Sequence, residues 1–180
     1  MKINAIIEIS KNSNIKYEYD FESKMFKVDR ILYGSNTYPQ NYGFIKNTLD
    51  WDGDPLDILV ISDHSFPPGT IVPTRIIGAM KMIDDGETDT KLIGVIDVDP
   101  RFNHINSLSD LNKSLLDEIS EFFKTYKILQ NKHVEVNGFE DAEYAIKELK
   151  ETVSLYRKYK DLNNEEFIKQ MRIKHPEKYS

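Results

Sequence analysis

The chain has 180 residues, a formal net charge of −6, 39% hydrophobic and 30% charged residues, so it is too apolar for general disorder and long enough for one domain with a sizeable core. Without cysteine there is no disulfide framework, thiolate nucleophile or Cys-type zinc site. The apolar run after Met1 stops at Glu8, too short for a signal peptide, and no later stretch approaches a membrane span, so a cytoplasmic enzyme or binding module is expected.

In chain order, residues 3–9 alternate as a strand, with Ile3, Ala5, Ile7 and Ile9 on one face, and residues 24–29 read as a second half-buried strand, with Phe26 and Val28 sharing a side. Between them a turn-rich piece leads into residues 15–20, where Lys16, Glu18 and Asp20 recur at every second position. Three β-rich runs follow, Leu56–Ile61, Ile71–Met82 and Leu92–Val98, punctuated by Pro67-Pro68-Gly69 and Asp85-Gly86. Short strands separated by turns predict a barrel. The period then changes: Leu108, Leu111, Leu115, Ile119, Phe122 and Tyr126 predict one amphipathic helix, with Ser107 and Asp110 as its capping box. A second helix is expected from Asp141 to Tyr159, its inner stripe being Ala142, Ala145, Ile146, Leu149, Val153 and Tyr156. Residues 1–160 form one expected domain, and 161–180 a polar, charge-balanced extension, either a short helix or a loose tail, whose removal should leave activity nearly intact.

The charge is unevenly placed. Residues 50–100 carry three Lys/Arg against eleven Asp/Glu, while residues 1–49 carry seven against five and the remainder balances. This distribution disfavours a nucleic-acid partner held by bulk electrostatics. Within the acidic stretch, Asp52, Asp54 and Asp57 form one cluster on a Gly/Pro turn opening into an apolar strand, and Asp84, Asp85, Glu87 and Asp89 form another. Like charges so close are tolerable only when splayed into water or held around cations. An EF-hand does not fit, because the position that needs Gly holds Asp57 and the one that needs Glu holds Asp63. Carboxylates converging on one pocket suit Mg²⁺, which takes oxygen ligands and shares its remaining positions with water and phosphate. Lys16, Arg30, Tyr38, Tyr42, Lys91, Tyr126 and Lys127 supply cations and phenols of the kind that clamp phosphate oxygens. The four histidines show no paired ligand spacing for zinc.

Ile7-Glu8-Ile9, Lys16-Tyr17-Glu18, Val28-Asp29-Arg30, Tyr38-Pro39-Gln40-Asn41-Tyr42-Gly43, Asp52-Gly53-Asp54-Pro55-Leu56-Asp57, Lys81 to Asp84 with Asp89 and Lys91, and Phe122-Phe123 with Tyr126-Lys127 together resemble the soluble family I inorganic pyrophosphatases over about residues 3–158. The resemblance implies an α+β fold, mainly β with flanking helices: an OB-like five-stranded barrel with two main α-helices. It implies hydrolysis of pyrophosphate to two phosphates with three or four Mg²⁺ ions, in a homo-hexamer, without nucleic-acid or membrane partners. Carried over by position, Asp52, Asp57 and Asp89 would ligate the first metals, and Asp84, Asp89 and Glu18 those arriving with substrate. Asp54 would be the general base. Lys16, Arg30, Tyr42, Lys91, Tyr126 and Lys127 would bind the phosphates, supported by Glu8, Tyr38 and Asp85. Ser10, Asp85 and Ile128-Leu129 depart from the family pattern without removing a primary ligand. A two-metal nuclease would add a basic, aromatic track, which is absent, and an OB-like binding module would bind metal without releasing phosphate.

Overall fold

The alternating apolar residues at the start of the chain become β1 (Lys2–Ile9), in which Ala5, Ile7 and Ile9 are fully buried. The computed structural model describes residues 1–179; Ser180, the last residue of the expected extension, lies outside them. β1 pairs with β4 (Asn41–Ile45), β4 with β5 (Asp57–Ile61), β5 with β8 (Lys91–Ile96), β8 with β6 (Ile71–Asp84), and β6 returns to β1. The circuit closes a five-stranded mixed barrel in which only β5 and β8 run parallel. Closure leaves no free edge among these strands, and Ile7, Leu59, Ile77, Met80, Leu92 and Ile93, on one side of the wall or the other, are all fully buried in one core. The long β6 runs past the barrel, where β7 (Glu87–Thr88) and β9 (Val134–Asp141) pair with it.

Two strands of the barrel region escape sequence reading. β4 is buried on both faces and so shows no alternation, and β9 pairs along the outer half of β6 with a mixed pattern. Conversely, β2 (Ile15–Asp20) and β3 (Met25–Ile31) form a separate hairpin outside the barrel. The expected half-buried character of β3 is corrected: Val28, expected to share the covered side with Phe26, is exposed, and Phe26 keeps partial cover through its ring contact with Tyr19.

The first helix also begins later than its period suggests. Ser107 and Asp110 do form a capping box, but it closes a single 3₁₀ turn, Leu108–Asp110, after which Leu111 is extended. Asp110 accepts from the amides of Asn106 and Ser107, locking that turn, and Asn112 becomes the cap of α1 (Lys113–Thr125) by accepting from the Ser114 amide. α2 (Ala142–Tyr159) covers the expected span, and Asp141 is its cap, accepting from the Tyr144 amide. Its inner stripe is only partly as read: Ala145 and Leu149 are buried against the barrel, whereas the C-terminal half buries Thr152, Leu155 and Tyr159. The turn of the stripe has a cause in the extension. Residues 164–174 form a third helix, α3 (Asn164–Lys174), whose Phe167 and Met171 join Trp51, Leu155 and Tyr159 in a second small core.

β1 and β4 approach so closely that a Cβ on Gly43 would stand 1.9 Å from the Ile6 carbonyl oxygen. Gly43→Ala therefore pushes backbone against backbone and should cost about 3 kcal/mol or more, the upper end of overpacking penalties. Urea unfolding checks this as a lower midpoint at unchanged slope.

Candidate active site

Parallel pairing of β5 with β8 places Ile58 opposite Leu92, so the residues just before them, Asp57 and Lys91, emerge side by side at one end of the barrel. The Lys91 ammonium lies 2.5 Å from Asp57 Oδ2 and 2.5 Å from Asp89 Oδ1. Burial opposes the charge on Lys91, yet the two carboxylates outweigh it and hold its pKa well above the ordinary lysine value. Tyr42, from β4, donates its hydroxyl to the same Asp57 oxygen. β6 carries Asp84 to this end of the barrel, where Lys127, just beyond α1, pairs with it. The hairpin closes the cavity from above: Lys16 lies 2.7 Å from Glu18, and Arg30 2.6 Å from Asp29.

Together these residues line a cavity of about 580 Å³. It gathers Glu8, Lys16, Glu18, Arg30, Tyr38, Tyr42, Asp52, Asp54, Asp57, Asp84, Asp89, Lys91, Tyr126 and Lys127, so the two acidic clusters do meet. Asp85 does not join them. It occupies the tip of the β6–β7 turn at φ 48, beside Gly86 at φ 88, and its carboxylate is 2.7 Å from Lys132 on the outer surface. A two-residue turn with both φ positive aims its side chains away from the sheet end. Lys91 and Tyr42 are also committed more deeply than a phosphate-binding assignment suggests, since both are engaged by Asp57.

Sequence reading missed several lining residues. Tyr19, Phe21 and Lys27 come from the hairpin, and no pattern within that hairpin marks them as facing the cavity. Outside the lining itself, Asp50 is buried and accepts from the Trp51 amide at 2.9 Å. Asn164, on α3, donates from Nδ2 to Asp54 Oδ1 at 3.3 Å.

The electrostatics are those of crowded carboxylates. Burial, and then the negative charge of neighbours, raises Asp50 and Asp52 well above the ordinary carboxylate range, and raises Asp54, for which Asp57 is the main neighbour. Burial and Asp57 push Glu8 up to about 8, although the Tyr19 amide hydrogen bond pulls the other way. With the side chains as they stand, no three carboxylates or histidines among the described residues are close enough to grip an ion; lysine ammoniums hold the carboxylate oxygens instead. The donor set nonetheless fits hard divalent cations. It consists of carboxylate oxygens only, it repels itself, and Asp84 keeps one buried oxygen, Oδ1, without a partner.

A closed barrel with carboxylates, cations and phenols facing one another across a polar cavity defines a hydrolase for a small phosphate polyanion. The family model for inorganic pyrophosphatase matches residues 5–172. The chain is 61% identical over 179 residues to the inorganic pyrophosphatase of Malacoplasma penetrans, covering 99% of each, and 56% identical over 177 residues to that of Mycoplasma genitalium, covering 98% of this chain and 96% of the other. The solved inorganic pyrophosphatase of Helicobacter pylori aligns at a TM-score of 0.84 and 48% identity, covering 87% of this chain and 94% of that one. The chain belongs to the family of inorganic pyrophosphatases, and its activity is the hydrolysis of inorganic pyrophosphate.

The raised pKa of Glu8 has a consequence for stability. Between its ordinary value of 4.5 and about 8, the folded metal-free protein keeps a proton that the unfolded chain has lost, so stability falls as pH rises through that window. Glu8→Gln cannot ionise. In urea unfolding without metal, its midpoint should exceed the parent's more at pH 8.5 than at pH 5, and an equal offset at both would contradict the assignment.

Proposed function

We propose that the chain hydrolyses pyrophosphate by direct attack of a water whose proton passes to Asp54, with no covalent enzyme intermediate. The supporting observation is that both acidic turns meet in one cavity opposite Lys16, Arg30, Tyr126 and Lys127. Asp52, Asp57 and Asp89, with Asp84 and Glu18, would hold Mg²⁺, three to four ions per site as the resemblance implies. When bound, the cations neutralise phosphate charge and acidify the attacking water.

The chain's own residues then divide the remaining work. Pyrophosphate repels any incoming nucleophile, and the departing phosphate gains charge as the bridge breaks. Lys16, Arg30, Tyr126 and Lys127 meet that charge with N–H and O–H donors, Arg30 bringing a buried Nε that lacks a partner within the protein. Lys91 and Tyr42 act through Asp57, fixing its carboxylate, and Glu8 and Tyr38 support the wall behind them. Asp54 stands at the cavity rim, desolvated on its inner side by the crowded walls and open to solvent on the other, where a carboxylate can take a proton from water and release it to solvent. A cytoplasmic enzyme is the matching setting. The homo-hexamer implied by the resemblance belongs to the same proposal; exposed Ile71 and Val98 supply apolar surface for it. Light scattering should give a mass of several chains.

A phosphate-release assay with Mg²⁺ tests the substrate: pyrophosphate should be turned over, and DNA and phosphomonoesters should not. Ca²⁺ should compete yet support little turnover, because its loose coordination spoils the alignment of water and phosphorus. Two variants separate the carboxylate roles. Asp57→Asn should lose metal affinity together with rate, and added Mg²⁺ should recover part of the activity. Asp54→Asn should lose about 10²–10⁴-fold in turnover, the usual worth of a general base, with no recovery on adding Mg²⁺. The opposite pattern would reverse the two roles.

A further inference from the structure

The C-terminal segment is packed against the loop that carries Asp52 and Asp54. Trp51, between Asp50 and Asp52, is 1% exposed and lies in the second core with Phe167 and Met171 of α3. Its carbonyl accepts from the Tyr179 hydroxyl at 2.5 Å, and the Lys178 ammonium stands 4.7 Å from its ring centroid. The same segment reaches the second acidic turn, where Arg172 lies 2.8 Å from Glu87 and Tyr179 bridges to the Glu87 backbone. Apolar burial of Phe167 and Met171 thus fixes the first turn of α3 beside the loop. Asn163 caps that turn by accepting from the Glu166 amide, which leaves the next residue, Asn164, free to face the loop. Asn164 sits against Gly53, whose φ is 87 and where an added Cβ would come within 3.0 Å of the Asn164 side chain. Its amide donates to Asp54 Oδ1 at 3.3 Å, the one hydrogen bond given to that carboxylate among the described residues.

We propose that Asn164 is a positioning residue for the reaction: anchored through α3, it orients the Asp54 carboxylate toward the attacking water. The proposal rests on Asp54 being the general base, and it reverses the sequence-based expectation that residues 161–180 are dispensable for turnover. A carboxylate open to solvent rotates among several rotamers, and a base is effective only when its oxygen lies within hydrogen-bond reach of the proton it takes. A donor fixed to a separately packed helix narrows those rotamers without touching substrate or metal ligands.

The test uses the full chain and compares Asn164→Ala, Asn164→Leu and Asn164→Gln in the parent and in Asp54→Asn. Asn164 is exposed, so the variants should keep the parent's thermal midpoint. Asn164→Ala and the near-isosteric Asn164→Leu should each lower kcat roughly three- to tenfold, the size expected for one modest hydrogen bond, with KM for pyrophosphate nearly unchanged. Asn164→Gln, which keeps a donor, should recover much of the loss. In Asp54→Asn the Asn164 substitutions should have no further effect on kcat. Parental kcat in Asn164→Ala, a rise confined to KM, or a loss that persists in full in Asp54→Asn would overturn the positioning role while leaving Asp54 as base. A kcat loss accompanied by a matching fall in thermal midpoint would assign Asn164 to stability and overturn it too. Near-parental kcat in Asp54→Asn itself would overturn the base assignment, and the proposal with it.

Discussion

The arrangement of this protein depends on holding several carboxylates close together inside a cavity without letting their repulsion open the fold. Lys91 is the centre of that solution. Its ammonium sits 2.5 Å from both Asp57 and Asp89 and its side chain is 4% exposed, so it offsets much of their mutual repulsion from below. A buried cation with no carboxylate would be costly, and two crowded carboxylates with no cation would be worse. The parallel pairing of β5 and β8 creates this contact, because only strands that start at the same end of a barrel deliver their first residues to the same place. The lysines at the rim, Lys16 and Lys127, repeat the device with Glu18 and Asp84.

That economy of charge has a chemical counterpart. Each carboxylate that a lysine now satisfies has the chemistry of a hard oxygen ligand, and each lysine can donate hydrogen bonds to phosphate oxygens, so on the proposed function a polyanion entering with cations would let both kinds of group exchange partners without stranding a charge. The residual strain sits where no ammonium makes contact: Asp50, Asp52 and Asp54 are raised first by burial and then by neighbouring carboxylates, led by Asp52, Asp89 and Asp57 respectively. The loop holding them is the one that the C-terminal segment packs against, through Trp51. A second core of a few large side chains therefore stabilises the most self-repelling segment of the chain, and it does so from outside the barrel.

The sequence by itself determined the class of chemistry and most of the elements. A carboxylate surplus confined to residues 50–100 makes that stretch the candidate for cation chemistry, and the alternation in β1 and the helical period of α2 hold because one face of each is buried. Only the tertiary structure decided the rest. β4 is invisible to alternation because both of its faces are covered, and α1 starts at Lys113 because a locked turn at Ser107–Asp110 ends in the extended Leu111. Asp85 belongs to the acidic run in sequence but leaves the site because a tight turn points it at Lys132. Asn164 reaches Asp54 across 110 positions of chain. Its proximity follows from Phe167 and Met171 finding Trp51, and no local pattern records where two distant apolar patches will meet, since burial is non-directional and is settled by the whole packed molecule.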